Sequence, residues 1–245
     1  MYNFSEKEFQ EVHGLIMKLL KAFKQVCDKE GVWYSLAYGS VLGAVRHKGI
    51  IPWDADVDVF IKINDVDKFR AAFYKNQPQG IMLNDRSKNR RNTKSHDTLY
   101  FEEYPGYPDL HLDIYPLIGA PDVEKVGHKK PWRRNYNLDR IFRSKYVKLS
   151  ECLDKNKKKV FFVKILDRLI PDTLIRYIIH KHETEYDLNS SRYWTCLASP
   201  YTPVEKKVWD KLELMKFEDD VFYVPGDWDL FLKTCYGDYM TPRVF

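Results

Sequence analysis

The sequence predicts a mixed α/β (α+β) fold: a sheet core flanked by helices, followed by a helical, basic C-terminal part. Three observations carry this. An apolar face at helical spacing runs from Phe9 to Val26. Two short β-rich runs, Trp53–Ile61 and Leu110–Tyr115, each carry aspartates among apolar residues. From Lys125 onward, hydrophobic residues interleave with a dense run of lysine and arginine.

The first helix is signalled by Ser5 and Glu8, a capping-box pair, ahead of Phe9, Val12, Leu15, Ile16, Leu19, Leu20, Phe23 and Val26, with Gly31 as its stop. Its role is to cover the sheet. Trp33–Tyr38 reads as a strand ending at Gly39-Ser40, and Val41–His47 as the helix that follows. A strand, a Gly-Ser turn and a helix make a phosphate-binding arrangement, because glycine admits close approach and a helix N-terminus offers N–H groups. The plainer reading is a tight turn with Ser40 as helix N-cap.

The strand Trp53–Ile61 comes next. Side chains alternate faces along a strand, so Asp56 and Asp58 share one face while Val57, Val59 and Ile61 enter a core. A polar helix is expected over Asp65–Asn76, then a break at Pro78, Gly80, Asn84 and Asp85 and an exposed basic loop from Arg86 to Lys94. Asp97–Phe101 is a further strand. The turn cluster Tyr104–Asp109 leads into Leu110–Tyr115, where Asp113 points opposite to Leu112 and Ile114. If the two aspartate-bearing strands are neighbours, Asp56, Asp58 and Asp113 converge. That much negative charge calls for a divalent cation, the usual clamp for a phosphoryl group in transfer. His111 shares Asp113's face, as a supporting or acid–base group. His96 has no supporting context, and His180 and His182 do not face each other on a helix.

Fifteen Lys or Arg residues lie between Lys125 and Arg168, against Asp139, Glu151, Asp154 and Asp167, whereas the whole chain carries only +5. Basic amphipathic helices suit an anionic membrane surface; the alternative is a helical subdomain with a solvated basic face. Nucleic acid is not expected, because no recognised binding motif accompanies the charge. A second apolar helix, Thr173–Ile179, follows Pro171. Phe222–Pro225 and Trp228–Leu232 are expected to fold back onto the core, and Tyr236-Gly237-Asp238 reads as a helix end and turn.

Composition agrees with an ordered enzyme. The chain has 245 residues, 44% hydrophobic and 15% aromatic, enough for a substantial core and against disorder. Four cysteines without a Cys-x-x-Cys pair argue against a zinc knuckle or a disulfide framework and suggest a reducing compartment. The start lacks a basic-then-apolar leader, and no apolar stretch reaches the ~18 residues of a membrane span. The expected location is cytoplasmic, with peripheral contact at the inner face of the membrane.

The run from Gly39 to Asp58, GSVLGAVRHKGIIPWDADVD, resembles the signature of the LicD family, whose members have a nucleotidyltransferase-like fold. Asp113-Ile114-Tyr115-Pro116-Leu117 and Tyr236-Gly237-Asp238 resemble two further family segments. Ala55 interrupts an acidic triplet common in the family, but it falls on the face opposite Asp56 and Asp58. The resemblance implies a catalytic core over residues 1–120 and a mainly helical region over 121–245 packed on it. It implies transfer of a phospho-alcohol, first of all phosphocholine, from a CDP-alcohol donor to a glycan or lipid-linked glycan acceptor such as a teichoic-acid precursor, with release of CMP. Glycerol, ribitol and ethanolamine head groups fit the same site. Asp56, Asp58 and Asp113 would hold one or two Mg²⁺ ions, with Mn²⁺ as the substitute, and Asp113 would accept the acceptor's proton. Gly39, Ser40, Arg46, His47 and Lys48 would meet the donor phosphates. Two other classes stand beside this one: a nucleotidyltransferase that releases pyrophosphate, and a non-catalytic protein that retains the fold.

Overall fold

The computed structural model describes residues 4–88, 96–103, 106–107, 110–122, 124, 172–197 and 202–241. The basic stretch from Lys125 to Arg168, residues 89–95 and most of the expected turn cluster Tyr104–Asp109 lie outside the described residues. No helix among the described residues is long and apolar enough to cross a membrane.

Helix α1 (Glu6–Glu30) begins as its sequence dictates. The Ser5 N–H donates to Glu8 Oε2 at 2.7 Å, and the Glu8 N–H donates to Ser5 Oγ at 3.3 Å. Gly31 ends the helix at φ 62°, a left-handed conformation that costs glycine little. Val12, Ile16, Leu19, Leu20, Phe23 and Val26 are all buried against the sheet. Full burial of each such side chain contributes about 1.5–3 kcal/mol relative to exposure.

Among the described residues the sheet has seven strands. β1 (Tyr34–Leu36), β2 (Val57–Lys62), β3 (Ile81–Asn84), β4 (Asp97–Phe101) and β5 (His111–Ala120) lie in the order β1-β2-β5-β4-β3, with β6 (Tyr193–Thr195) on β5 and β7 (Val204–Glu205) on β6. Among the described strands only β2 and β5 run parallel, and the other pairings in this sheet are antiparallel. Helix α2 (Tyr38–Arg46) leads from β1 towards β2, and α3 (Val66–Lys75) follows β2 after a short 3₁₀ turn. One edge of β5 serves two partners, β4 along His111–Ile114 and β6 along Ile118–Ala120. Pro116, which has no N–H to donate, sits at the break between them.

The C-terminal part supplies helix α4 (Asp172–Glu183), the strands β6 and β7, the hairpin β8 (Leu212–Phe217) and β9 (Asp220–Pro225), and helix α5 (Trp228–Tyr236). Beside the expected helices, therefore, the described residues of this part contribute four strands, and β6 and β7 join the sheet of the first 120 residues. The alternation in β9 explains the hairpin: Phe222 and Val224 are fully buried while Val221 faces outward. The segments at 222–225 and 228–232 pack into the core as their apolar residues require, with Leu232 buried and Phe231 buried beside Phe60 and Trp209.

Candidate active site

The site grows from the junction of β1 and α2. β1 pairs with β2 only as far as Leu36 opposite Val59. Beyond that point the chain turns into α2, yet it keeps both backbone groups of Asp58 occupied. The Ala37 N–H donates to the Asp58 carbonyl at 2.9 Å. The Asp58 N–H donates to Ser40 Oγ at 2.8 Å. The helix starts at Tyr38, with Ala37 as its N-cap, earlier than the expected Val41. The reason is that the Ser40 hydroxyl bonds the neighbouring strand rather than its own helix. The Ser40 N–H donates to the Ala37 carbonyl at 2.9 Å, so Ser40 contributes to the site through its hydroxyl.

Tyr38 opens the helix with φ 41°, a left-handed conformation that costs a non-glycine residue about 1–3 kcal/mol. Its side chain is held in place: the hydroxyl lies 2.8 Å from Cys196 Sγ, and the ring contacts Phe60 and Tyr115 at 5.1 and 5.9 Å. Backbone strain of this kind is stored where the surroundings over-determine a conformation. Here it lies beside Gly39, whose added Cβ would meet Asp54 Oδ2 at 3.5 Å.

Parallel pairing sets Asp58 directly beside Asp113, with Val57 opposite Leu112 and Val59 opposite Ile114. The two carboxylate-bearing strands are thus nearest neighbours, in register. Asp113 is buried, and its Oδ1 lies 2.9 Å from His96 Nε2 and 3.1 Å from His111 Nε2. Burial pushes the Asp113 carboxyl up, but hydrogen bonds from His111 and His96 outweigh it and hold the group well below the usual carboxylate range. The Tyr115 hydroxyl donates to Asp113 Oδ2 at 3.3 Å.

Asp56 sits just before β2 and is exposed, while Ala55 is buried on the opposite face, as alternation requires. Burial, then the charge of the neighbouring Asp56 and a side-chain hydrogen bond with it, raises the Asp54 carboxyl to about 7. The same group of charges reaches two tyrosines. Tyr115 is pushed up by burial and then by Asp58 and Asp113, and Tyr236 by burial, then Cys235, Asp58, Asp54 and Asp56. The tyrosine of the Tyr236-Gly237-Asp238 segment therefore borders the acidic centre, while Gly237 ends α5.

Arg46, His47 and Lys48 leave the far end of α2. Arg46 Nη1 donates to the Tyr239 carbonyl at 3.1 Å, and Arg46 Nη2 lies 3.2 Å from His47 Nε2. Burial and the Arg46 charge lower the His47 pKa, and its ring packs edge-on to Trp53 at 5.8 Å. Lys48 Nζ donates to the Val45 carbonyl at 3.3 Å. The loop from Lys48 to Trp53 is gripped by the tip of the β8–β9 hairpin: the Glu218 N–H donates to the Lys48 carbonyl at 2.7 Å, and Glu218 Oε1 accepts from the Ile50 N–H at 2.8 Å. This approach leaves no room at Gly49, where a Cβ would come within 2.1 Å of Glu218 Oε1.

Asp58 and Asp113 are thus neighbours in register, the Ser40 hydroxyl bonds the Asp58 backbone, and Arg46, His47 and Lys48 lie at the opposite end of α2 from Gly39. Sequence reasoning omitted Asp54, which alternation places with Asp56 and Asp58, and His96, which no local spacing singles out. The all-oxygen donor set of adjacent carboxylates suits a hard divalent cation. The in-register pairing of Asp58 with Asp113 on parallel neighbouring strands is the observation that fits it, since neighbouring carboxylates favour a cation between them. Among the described residues no group of three or more acidic, His or Cys side chains is closed into a metal-holding cluster.

The chain is 22% identical over 252 residues to the lipopolysaccharide cholinephosphotransferase LicD of Haemophilus influenzae, an alignment covering 94% of this chain and 91% of that protein. It is 35% identical over 95 residues to the human ribitol 5-phosphate transferase FKRP, covering 38% of this chain and only 18% of that protein. An uncharacterized protein of Rickettsia prowazekii, RP689, is 40% identical over 211 residues, 82% of this chain and 57% of its own length. Residues 31–157 match the LicD/FKTN/FKRP nucleotidyltransferase domain, more than half of the chain, and the protein belongs to that family.

Proposed function

We propose that the protein transfers a phospho-alcohol, phosphocholine foremost, from a CDP-alcohol to a hydroxyl of a glycan or lipid-linked glycan. The observation that carries this is the in-register placement of Asp58 beside Asp113, next to the glycine-bearing start of α2. The names of relatives that transfer phosphocholine and ribitol 5-phosphate support the reaction class.

In this reading Asp56 and Asp58 would hold Mg²⁺, one or two ions with Mn²⁺ as the substitute, with Asp54 and Asp113 completing the negative surround. When bound, the cation offsets phosphoryl charge during the displacement. Gly39 brings backbone close to the donor diphosphate at the N-terminal end of α2, where N–H groups favour an anion. Arg46 neutralises charge on the departing nucleotide, with His47 and Lys48 beside it. Asp113 takes the proton of the acceptor hydroxyl. The acceptor oxygen then bonds to the distal phosphorus, the bond from that phosphorus to the bridging oxygen breaks, and CMP leaves. The exposed Trp53 and Tyr100 offer aromatic faces of the kind that hold a quaternary ammonium. The basic segment from Lys125 to Arg168 would meet an anionic membrane carrying the acceptor.

The test is a set of CDP-alcohols screened by thermal shift with Mg²⁺, followed by nucleotide release assays. CMP from a CDP-alcohol supports the proposal, whereas pyrophosphate from a nucleoside triphosphate would replace it with nucleotidyl transfer. Asp58→Asn should abolish turnover; full activity with unchanged Mg²⁺ dependence would overturn the metal assignment.

A further inference from the structure

We propose that Glu218, at the tip of the β8–β9 hairpin, is a positioning residue that holds the end of α2 where its cations meet the donor nucleotide. The inference rests on the proposed phospho-alcohol transfer and gives a part in it to a residue far outside the signature run.

Two strained backbones meet at this contact. Lys48 follows the C-cap of α2 with φ 60°, a left-handed position that helices ordinarily give to glycine. Glu218 has φ 56° in the two-residue turn between Phe217 and Asp220, again a place where glycine or asparagine is usual. Neither residue is glycine, yet the Glu218 N–H donates to the Lys48 carbonyl at 2.7 Å. Strained conformations persist only where their surroundings over-determine them, and they gather at functional sites. Here the surroundings are explicit. The Glu218 carboxylate accepts from the Ile50 N–H at 2.8 Å, so this one residue binds the loop at two points. Between those points Gly49 touches both the hairpin and α2. A Cβ on Gly49 would fall 2.1 Å from Glu218 Oε1, and one on Gly43 would fall 2.3 Å from the Gly49 carbonyl oxygen.

The hairpin tip is anchored separately, from α1. Lys21 and Lys24 pair with Asp219 and Asp220 at 2.6 and 2.7 Å, and Lys24 also donates to the Val221 carbonyl at 2.9 Å. Phe217, the residue before Glu218, is fully buried. The hairpin is therefore the fixed partner and the loop the held one. Without the Glu218 contacts Lys48 can leave its left-handed conformation, and the loop then shifts against α2 and carries His47 and Lys48 with it. Charge-assisted bonds to phosphate depend on geometry, so such a shift weakens the grip on the nucleotide.

The test compares Glu218→Gly with Glu218→Gln, using CMP as the probe, titrated calorimetrically in the presence of Mg²⁺. Glu218→Gly loses the carboxylate but relieves the left-handed strain, so its thermal midpoint should stay within about 3 °C of wild type. Its Kd for CMP should nevertheless rise at least about tenfold. Glu218→Gln keeps an oxygen for the Ile50 N–H and should hold the Kd within about threefold of wild type. An unchanged Kd in Glu218→Gly, or a Glu218→Gln protein as impaired as Glu218→Gly, would overturn the inference and leave the proposed function standing. So would weakened binding that comes with a midpoint fall beyond about 6 °C, the mark of a merely structural role. A wild-type protein that neither binds CMP nor releases it from any CDP-alcohol would overturn both.

Discussion

Removing one hydroxyl at Ser40 tests how the α2 junction supports the acidic strand. Ser40 is 6% exposed, and its Oγ is the acceptor for the Asp58 N–H at 2.8 Å, just past the last β1–β2 pairing. Ser40→Ala leaves that N–H without its acceptor and puts a methyl group in the hydroxyl's place. Orphaning a buried backbone donor costs about 1–3 kcal/mol. For a chain of this size each kcal/mol moves Tm by about 2–4 °C, so the midpoint should fall by about 2–12 °C. Ser40→Thr retains the oxygen and should recover most of the loss. The same bond fixes where Asp58 leaves the backbone, so CMP release should fall further than the unfolded fraction explains. Thermal unfolding followed by circular dichroism, beside steady-state assays on the folded protein, measures both effects. A Ser40→Ala protein with an unchanged midpoint would refute the reasoning, because it would show that the Asp58 N–H does not depend on this hydroxyl.

Three further outcomes are expected. Gly43→Ala places a Cβ 2.3 Å from the Gly49 carbonyl oxygen, so the loop must move, at about 1–3 kcal/mol in denaturant unfolding, with a raised donor KM as Arg46 shifts. Arg86→Met strips the bidentate partner, at 2.6 and 2.7 Å, from Glu183, whose side chain is 1% exposed; unfolding should show a loss of about 3–5 kcal/mol. Burial raises the Asp85 carboxyl, but bonds from Ser87 and the Arg70 charge outweigh it and leave its pKa lowered. Its stabilisation is therefore complete above the unfolded value near ~3.9 and lost as pH falls through the folded value, so Asp85→Asn should flatten the acid limb of a stability–pH curve.

The sequence was most informative where local chemistry and periodicity agreed. Ser5, Glu8 and Gly31 delimit α1 because a capping box and a left-handed glycine are satisfied within a few residues of chain. Alternation alone placed Asp58 and Asp113 on their strands, and the parallel pairing of β2 with β5 then joined them. Long-range partners were hidden. Ser40 has the chemistry of an N-cap, but a neighbouring strand claims its hydroxyl, so the helix begins earlier, at Tyr38. His96 comes within 2.9 Å of Asp113 only because β4 lies against β5, a pairing that no spacing in the chain announces. Val221–Val224 of β9 alternate, but Phe222–Pro225 was read simply as a segment folding back onto the core, and its partner β8, whose burial does not alternate, was not read at all.

The hairpin tip at Glu218 lies more than sixty residues beyond the family-matched stretch 31–157, yet it holds Lys48 and Ile50 inside that stretch. Excising the matched stretch as an independent fragment would leave its signature loop without its outer brace. Chimeras that exchange donor preference between relatives should therefore carry hairpin and loop together as one module, since a hairpin of another length would set the arginine and the tryptophan at a different distance from the acidic strand.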